Sequence, residues 1–183
     1  MTASVTIKHG KTVLTQALTC VAKQADGRQN LTGVHIYTTA TETIVESADG
    51  FRLIRLTMAR IGDDDFDQII PADAIKTAIK AAGKEPITIN GKIETDGATF
   101  DYEPIEASFP DTESLTPDND GDPSRFAING RYLKDFGTLA RFTDNSIVRV
   151  RPGDSPSSPI RFDWNGDWGE AVGVSMPMFV EWK

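Results

Sequence analysis

Three times along this 183-residue chain a short alternating run of apolar residues breaks and passes into an amphipathic helical pattern, and that recurrence restricts the fold more than any other feature. The first copy is Val5-Thr6-Ile7, a break at His9-Gly10, and a helix expected from about Lys11 to Lys23 with Val13, Leu14, Ala17, Leu18 and Val21 on one face. The second is Gln68-Ile69-Ile70, a break at Pro71, and a helix with Ile75, Ala78, Ile79 and Ala82 inward, Pro71 suiting its first turn and Gly83 its end. The third is Phe126-Ala127-Ile128, then Asn129 as N-cap of a helix carrying Tyr132, Leu133, Phe136 and Ala140 inward. The units recur about every 60 residues, as one module used three times.

Strand-like runs follow each helix: 32–39, 43–47 and 51–58 after the first, 87–90, 92–94 and 98–102 after the second, and 147–151, 160–162 and 171–176 after the third. Asn90-Gly91, Asp96-Gly97 and Asn165-Gly166 are turn signals that favour antiparallel hairpins. The expected class is α+β, with helices on one face of antiparallel sheets. An acidic, Pro-containing stretch without hydrophobic periodicity separates the second unit from the third. Residues 1–117 are therefore read as a two-module domain, 118–124 as a linker, and 125–183 as a lone module.

With 39% hydrophobic residues the chain can bury a core, and no stretch approaches the roughly 20 apolar residues that span a bilayer. No leader pattern opens it, so a cytoplasmic protein without membrane contact is expected. Cys20 is the only cysteine, placed on the apolar side of a helix, and His9 and His35 are the only histidines. No disulfide, metal centre or cofactor is expected from that set. The net charge of −8 argues against nucleic acid on average, yet the acids concentrate in loops such as Asp63-Asp64-Asp65 while lysines and arginines recur on the helices.

The run Ser47-Ala48-Asp49-Gly50-Phe51-Arg52-Leu53-Ile54 places a tight Asp-Gly turn between strands and sets Arg52 among apolar neighbours. Together with the ending Val174-Ser175-Met176-Pro177-Met178, it resembles the bacterial DNA polymerase III β subunit, the sliding clamp, whose middle domain has an Asp-Gly-His-Arg-Leu turn and whose chain closes on Met-Pro-Met. Leu31-Thr32-Gly33, Ile70-Pro71, Phe109-Pro110-Asp111 and Pro117 fall in the order and spacing of that middle domain. Residues 125–180 look like the second half of the family's C-terminal domain, and the remaining parts of the family have no counterpart here.

The resemblance implies a DNA-clamp-like fold of three strand-helix-strand modules, helices on the inner face and sheets outside. It also implies that the first and third modules are ring neighbours sharing a pocket for a short Leu-Phe-type peptide. Carried over residue by residue, that pocket comprises Leu31, Ala48, Gly50, Phe51, Arg52, Leu53, Pro110, Leu115, Val174, Met176, Pro177 and Met178. Ala48 stands where threonine is usual, Phe51 where histidine is usual, Ser114 where arginine is usual and Leu115 where valine is usual, which makes the groove more apolar. Lys11, Lys23, Lys76, Lys80, Lys84, Arg131, Lys134 and Arg141 are the residues that would face duplex DNA, through phosphates and without sequence preference.

The bland alternatives are an ordinary solvated helix face for the basic residues and a plain seal between packed modules for the pocket. Trp164, Trp168 and Trp182 are read as partly buried at a module edge or as a stacking platform for bases. The loop carboxylates lack a partnered base, so no enzyme is expected. Two functions remain in competition. One is a reduced processivity factor that encircles or cradles DNA as a homo-oligomer, with four copies favoured, and tethers a polymerase or other replication or repair protein. The other is a clamp-derived adaptor or decoy that captures peptides without encircling DNA.

Overall fold

The computed structural model describes residues 3–23, 27–116, 126–143 and 147–179. The proposed linker 118–124 and Trp182 lie outside the described residues. The first module contains β1 (Val5–Ile7), α1 (Gly10–Ala17), β2 (Gly33–Thr38), β3 (Glu42–Ala48) and β4 (Arg52–Ala59). The second contains β5 (Asp67–Pro71), α2 (Ala72–Ala81), β6 (Ile87–Ile89), β7 (Lys92–Thr95) and β8 (Ala98–Asp101). The third contains α3 (Gly130–Leu139), β9 (Arg149–Arg151), β10 (Ile160–Gly166) and β11 (Gly169–Ser175).

Among the described residues all strand pairs are antiparallel and form two sheets, β1-β6-β7-β8 and β5-β2-β3-β4-β11-β10-β9. The first strand of each of the first two modules thus sits in the other's sheet, β1 beside β6 and β5 beside β2. The β6–β7 and β7–β8 turns carry glycine at positive φ, Gly91 at 88° and Gly97 at 81°, where other residues would be strained. Strand β4 of module one pairs with β11 of module three over six residues, so the larger sheet runs unbroken from one to the other.

Strand alternation sorts this sheet into two faces. Val45, Ile54, Leu56, Phe162, Trp164 and Ala171 turn toward the helices and join Val13, Leu14, Ile75 and Phe136 in the main core. Trp164 reaches from module three to α1, where its Nε1 donates to Gln16 Oε1 at 2.8 Å, so a buried amide is satisfied across modules. Cys20 is fully buried, and burial pushes its thiol well above its ordinary pKa.

Several boundaries and faces differ from the sequence reading. Helix α1 ends at Ala17, and residues 18–20 tighten into a 3₁₀ turn before Val21 becomes extended at ψ 135°. Ser47 Oγ donates to the Ala17 carbonyl there, taking up one of the acceptors a helix end leaves open. Lys23 is therefore off the helix. Helix α2 stops at Ala81 rather than Gly83, because Ala82 is extended, and the Ala82 carbonyl accepts from Lys11 Nζ at 2.8 Å. Lys84 consequently lies beyond the helix.

In module three Asn129 caps α3 as expected, its side chain accepting from Arg131 N. Leu133, however, is 49% exposed, and Leu139 takes an inward place. The face is set by Phe136, which stacks on Phe162 at 4.5 Å and presses on Gly173, and that leaves Leu133 turned away from the sheet. Phe126-Ala127-Ile128 is not a ladder strand. The β10–β11 hairpin turns at Asp167-Trp168 instead of Asn165-Gly166, since Asn165 still pairs with Glu170 and Gly166 with Gly169. Trp168 is drawn into the core, its Nε1 donating to the Phe142 carbonyl at 2.8 Å, and it fixes the turn two residues further on. Trp164 and Trp168 are thus both buried core residues, not a stacking surface for bases.

Candidate functional site

On the side of the large sheet away from the helices, Ala48, Leu53 and Val174 stand in one cross-strand row, Ala48 opposite Leu53 and Leu53 opposite Val174. Leu31, from the turn before β2, closes on them, and the four form a small apolar cluster separate from the main core. They floor a groove of about 170 Å³. Its walls include Gly50, Phe51, Arg52, Pro110, Leu115 and Met176, so ten of the twelve residues named from the sequence line one cavity. Thr112 and Pro159 line it as well. Pro177 and Met178 do not, because the chain turns away after Met176 and Met178 N donates to the Ala127 carbonyl instead.

The Asp-Gly turn places the groove's corner. Asp49 N donates to the Arg52 carbonyl, and Gly50 takes φ +89° at the first position of the intervening two-residue turn. Asp49 Oδ1 accepts from the amides of Phe51 and Arg52. Phe51 is left 59% exposed on the rim, and its carbonyl accepts from Met176 N at 2.9 Å. With Leu115 and Met176 about half exposed, the groove is apolar on floor and rim alike.

The charge on Arg52 is accounted for by partners. Its Nε donates to Asp49 at 2.9 Å, its Nη1 to Asp135 on α3, and its guanidinium lies 4.7 Å from the centre of the Tyr132 ring. Burial opposes the charge, but the bonds to Asp135 and Asp49 more than offset this and hold its pKa above the ordinary value.

One group of residues near the groove escaped the sequence reading. Residues 102–116 cross the outer face as a strap, fastened by Ile105 N to the Ile69 carbonyl and by Asn30 Nδ2 to the Ser108 carbonyl. Beneath it Glu46, 2% exposed, accepts from Thr112 Oγ1 and lies 2.8 Å from His35 Nδ1. His35 Nε2 is 2.8 Å from Asp67, and the ring packs between Tyr37 and Phe109 at 4.9 Å each. Arg55 reaches Thr112, Glu46 and Glu113. Burial alone would lower the His35 pKa, yet bonding to the two carboxylates raises it. The signal was in the register: a turn at Gly50-Phe51 that sets Ala48 opposite Leu53 also sets Glu46 opposite Arg55, two charges on the groove's face.

The residues named for DNA are distributed unevenly. Lys76, Lys80, Arg131, Lys134 and Arg141 are exposed on or just after α2 and α3. Lys76 is paired with Asp73 at 2.9 Å, Lys11 Nζ is engaged with Ala82, and Lys23 and Lys84 are exposed outside the helices. Among the described residues no helix is long and apolar enough to cross a membrane, and no group of three or more His, Cys, Asp or Glu side chains is placed to hold a metal ion.

By sequence, no family model and no curated protein matches the chain. By structure it matches the DnaN sliding clamp of Bartonella birtlesii bound to griselimycin, with TM-score 0.79, 14% identity, and coverage of 97% of this chain and 66% of that one. The H. pylori β clamp in complex with diflunisal gives 0.80, 13%, 98% and 67%. The Pseudomonas aeruginosa DnaN clamp bound to griselimycin gives 0.76, 16%, 97% and 65%. Nearly all of this chain is matched while about a third of each clamp is not. The chain has the antiparallel α+β fold of the bacterial DNA polymerase III β sliding clamp, over about two thirds of that clamp's length.

Proposed function

We propose that this protein is a reduced sliding clamp, a non-enzymatic tether that holds duplex DNA against its helix face and captures a short apolar peptide of a polymerase or other DNA-processing protein in the outer groove. In this reading residues 1–117 are a complete two-module domain and 125–183 a single module, and several copies, with four favoured, surround or cradle the duplex. The observation that carries it is the assembly of Leu31, Ala48, Leu53 and Val174 into one apolar floor, from modules far apart in sequence, on the face opposite the helices. Aliphatic floor residues with a flexible Met at the rim suit a peptide whose Leu and Phe side chains enter the groove and whose backbone stays at the surface.

A labelled Leu-Phe-containing peptide, followed by fluorescence anisotropy, tests the groove. Met176→Asp, a change at a half-exposed rim position, should reduce affinity at least tenfold while the melting temperature stays within a few degrees. Unchanged affinity would remove the groove from the function.

The adaptor reading, in which peptide capture occurs without encircled DNA, is favoured by a separate observation: Lys76 and Lys11 already have partners and Lys23 and Lys84 lie off the helices, which thins the expected basic face. DNA binding that vanishes while peptide binding persists would select it.

A further inference from the structure

Modules one and two complete each other by exchange. Ile7, three residues before α1, lies opposite Ile87 of β6, and Ile69, three residues before α2, lies opposite His35 of β2. Helices α1 and α2 pack together, and Val13 and Ile75, each three residues past its helix start, are fully buried. The far side of β5 is closed by its own module's tail, Ile105 N donating to the Ile69 carbonyl at 2.8 Å.

Module three repeats these parts with no counterpart among the described residues. Ala127, three residues before α3, accepts from Met178 N of its own tail at 2.7 Å, as Ile69 does from Ile105. The segment 126–128 pairs in no ladder, and β9, which stands where β2 and β6 stand, receives no strand on its outer side among the described residues. Leu133, three residues past the start of α3, occupies the place of Val13 and Ile75 but is 49% exposed. Val150, opposite the buried Phe162 and hence on the helix side of β9, is 44% exposed, whereas Ile36 on β2 and Ile87 on β6 are fully buried. A side chain at Gly137, one turn past Leu133, would meet open space.

We propose that module three completes itself with module three of a second copy of this chain across a two-fold axis. Residues 126–128 of each copy add antiparallel to β9 of the other, and the two α3 helices pack through Leu133. The joint has the form already present between modules one and two, and it continues the seven-stranded sheet by one strand at the end remote from β5. A second copy is the occupant because a two-fold mate brings the donor strand, the acceptor edge and the facing helix together. A foreign strand would fill β9 alone and leave 126–128 and Leu133 bare. The pairing rests on the fold and deepens only the oligomeric part of the proposed function.

Light scattering on eluting protein at tens of micromolar tests it. The full chain should run as an even number of copies, and Leu133→Asp and Val150→Asp should each halve the mass with an unchanged circular dichroism spectrum. Should either variant lose its fold, Leu133→Ala supplies the readout, as dissociation at a concentration at least tenfold higher than for the unaltered chain. A monomer throughout that range, or folded variants with undiminished mass, would overturn the pairing. Anisotropy with the labelled peptide separates this from the groove: a variant with halved mass and retained capture supports the pairing, and an unaltered chain that runs as an even number of copies yet captures no peptide sinks the groove alone.

Discussion

Arg52 and Asp135 form an ion pair between residues 83 positions apart, Nη1 to Oδ2 at 2.5 Å, and through it the turn of module one is fastened to the helix of module three. Both side chains are largely shielded, 10% and 31% exposed, so truncating one strands the other in a poor environment. Arg52→Ala should cost about 1–2 kcal/mol in denaturant unfolding, below the fully buried case because Asp135 retains some water. It should also weaken peptide capture, since Arg52 lines the groove. Stability and capture both unchanged would mean that the pair holds nothing.

Gly173 lies where α3 meets the sheet, and a Cβ there would sit 2.5 Å from the Phe136 ring. That ring is fully buried and stacked on Phe162, so it has little room to yield. Gly173→Ala should lower stability by about 1–3 kcal/mol, read as an earlier urea midpoint with unchanged slope. A neutral result would show that α3 can shift on the sheet.

His35 makes stability depend on pH. Its pKa is raised in the folded protein, burial being outweighed by Glu46 and Asp67, while in the unfolded chain it titrates near the ordinary value of about 6.5. The contribution is therefore complete below about pH 6.5 and is lost as pH rises through the higher folded value. The melting temperature should fall over that interval, and His35→Asn should flatten the dependence while lowering stability at the acid end. An equally steep profile in the variant would assign the pH effect elsewhere.

Lys76→Glu with Lys80→Glu reverses two exposed charges on α2. If the helix face meets phosphates, the pair should weaken DNA binding and reduce the dependence of log K on log salt by about 1–2, leaving peptide capture intact. Equal loss of both activities, with a lowered melting temperature, would make these lysines structural, consistent with the bond from Lys76 to Asp73.

The sequence by itself determined the strand and helix segments and most of the tight turns, because these follow from local rules. Alternation of period two marked the strands, Gly50, Gly91 and Gly97 marked turns that need positive φ, and Asn129 marked a helix start. The groove residues were named through the family resemblance alone, and ten of the twelve line one cavity.

Tertiary structure alone decided what depends on a partner distant in sequence. Leu133 follows the helical period yet faces outward, because the contact of Phe136 with Phe162 and Gly173 fixes the rotation of α3. The last hairpin turns at Asp167-Trp168, because the Trp168 indole finds the Phe142 carbonyl in the core. Helix α1 stops early where Ser47 reaches the Ala17 carbonyl, and the chain leaves the groove after Met176 because Met178 bonds to Ala127. At each of these places a local preference of a few tenths of a kcal/mol competes with a contact between distant residues worth about 1 kcal/mol or more, and the stronger interaction sets the geometry.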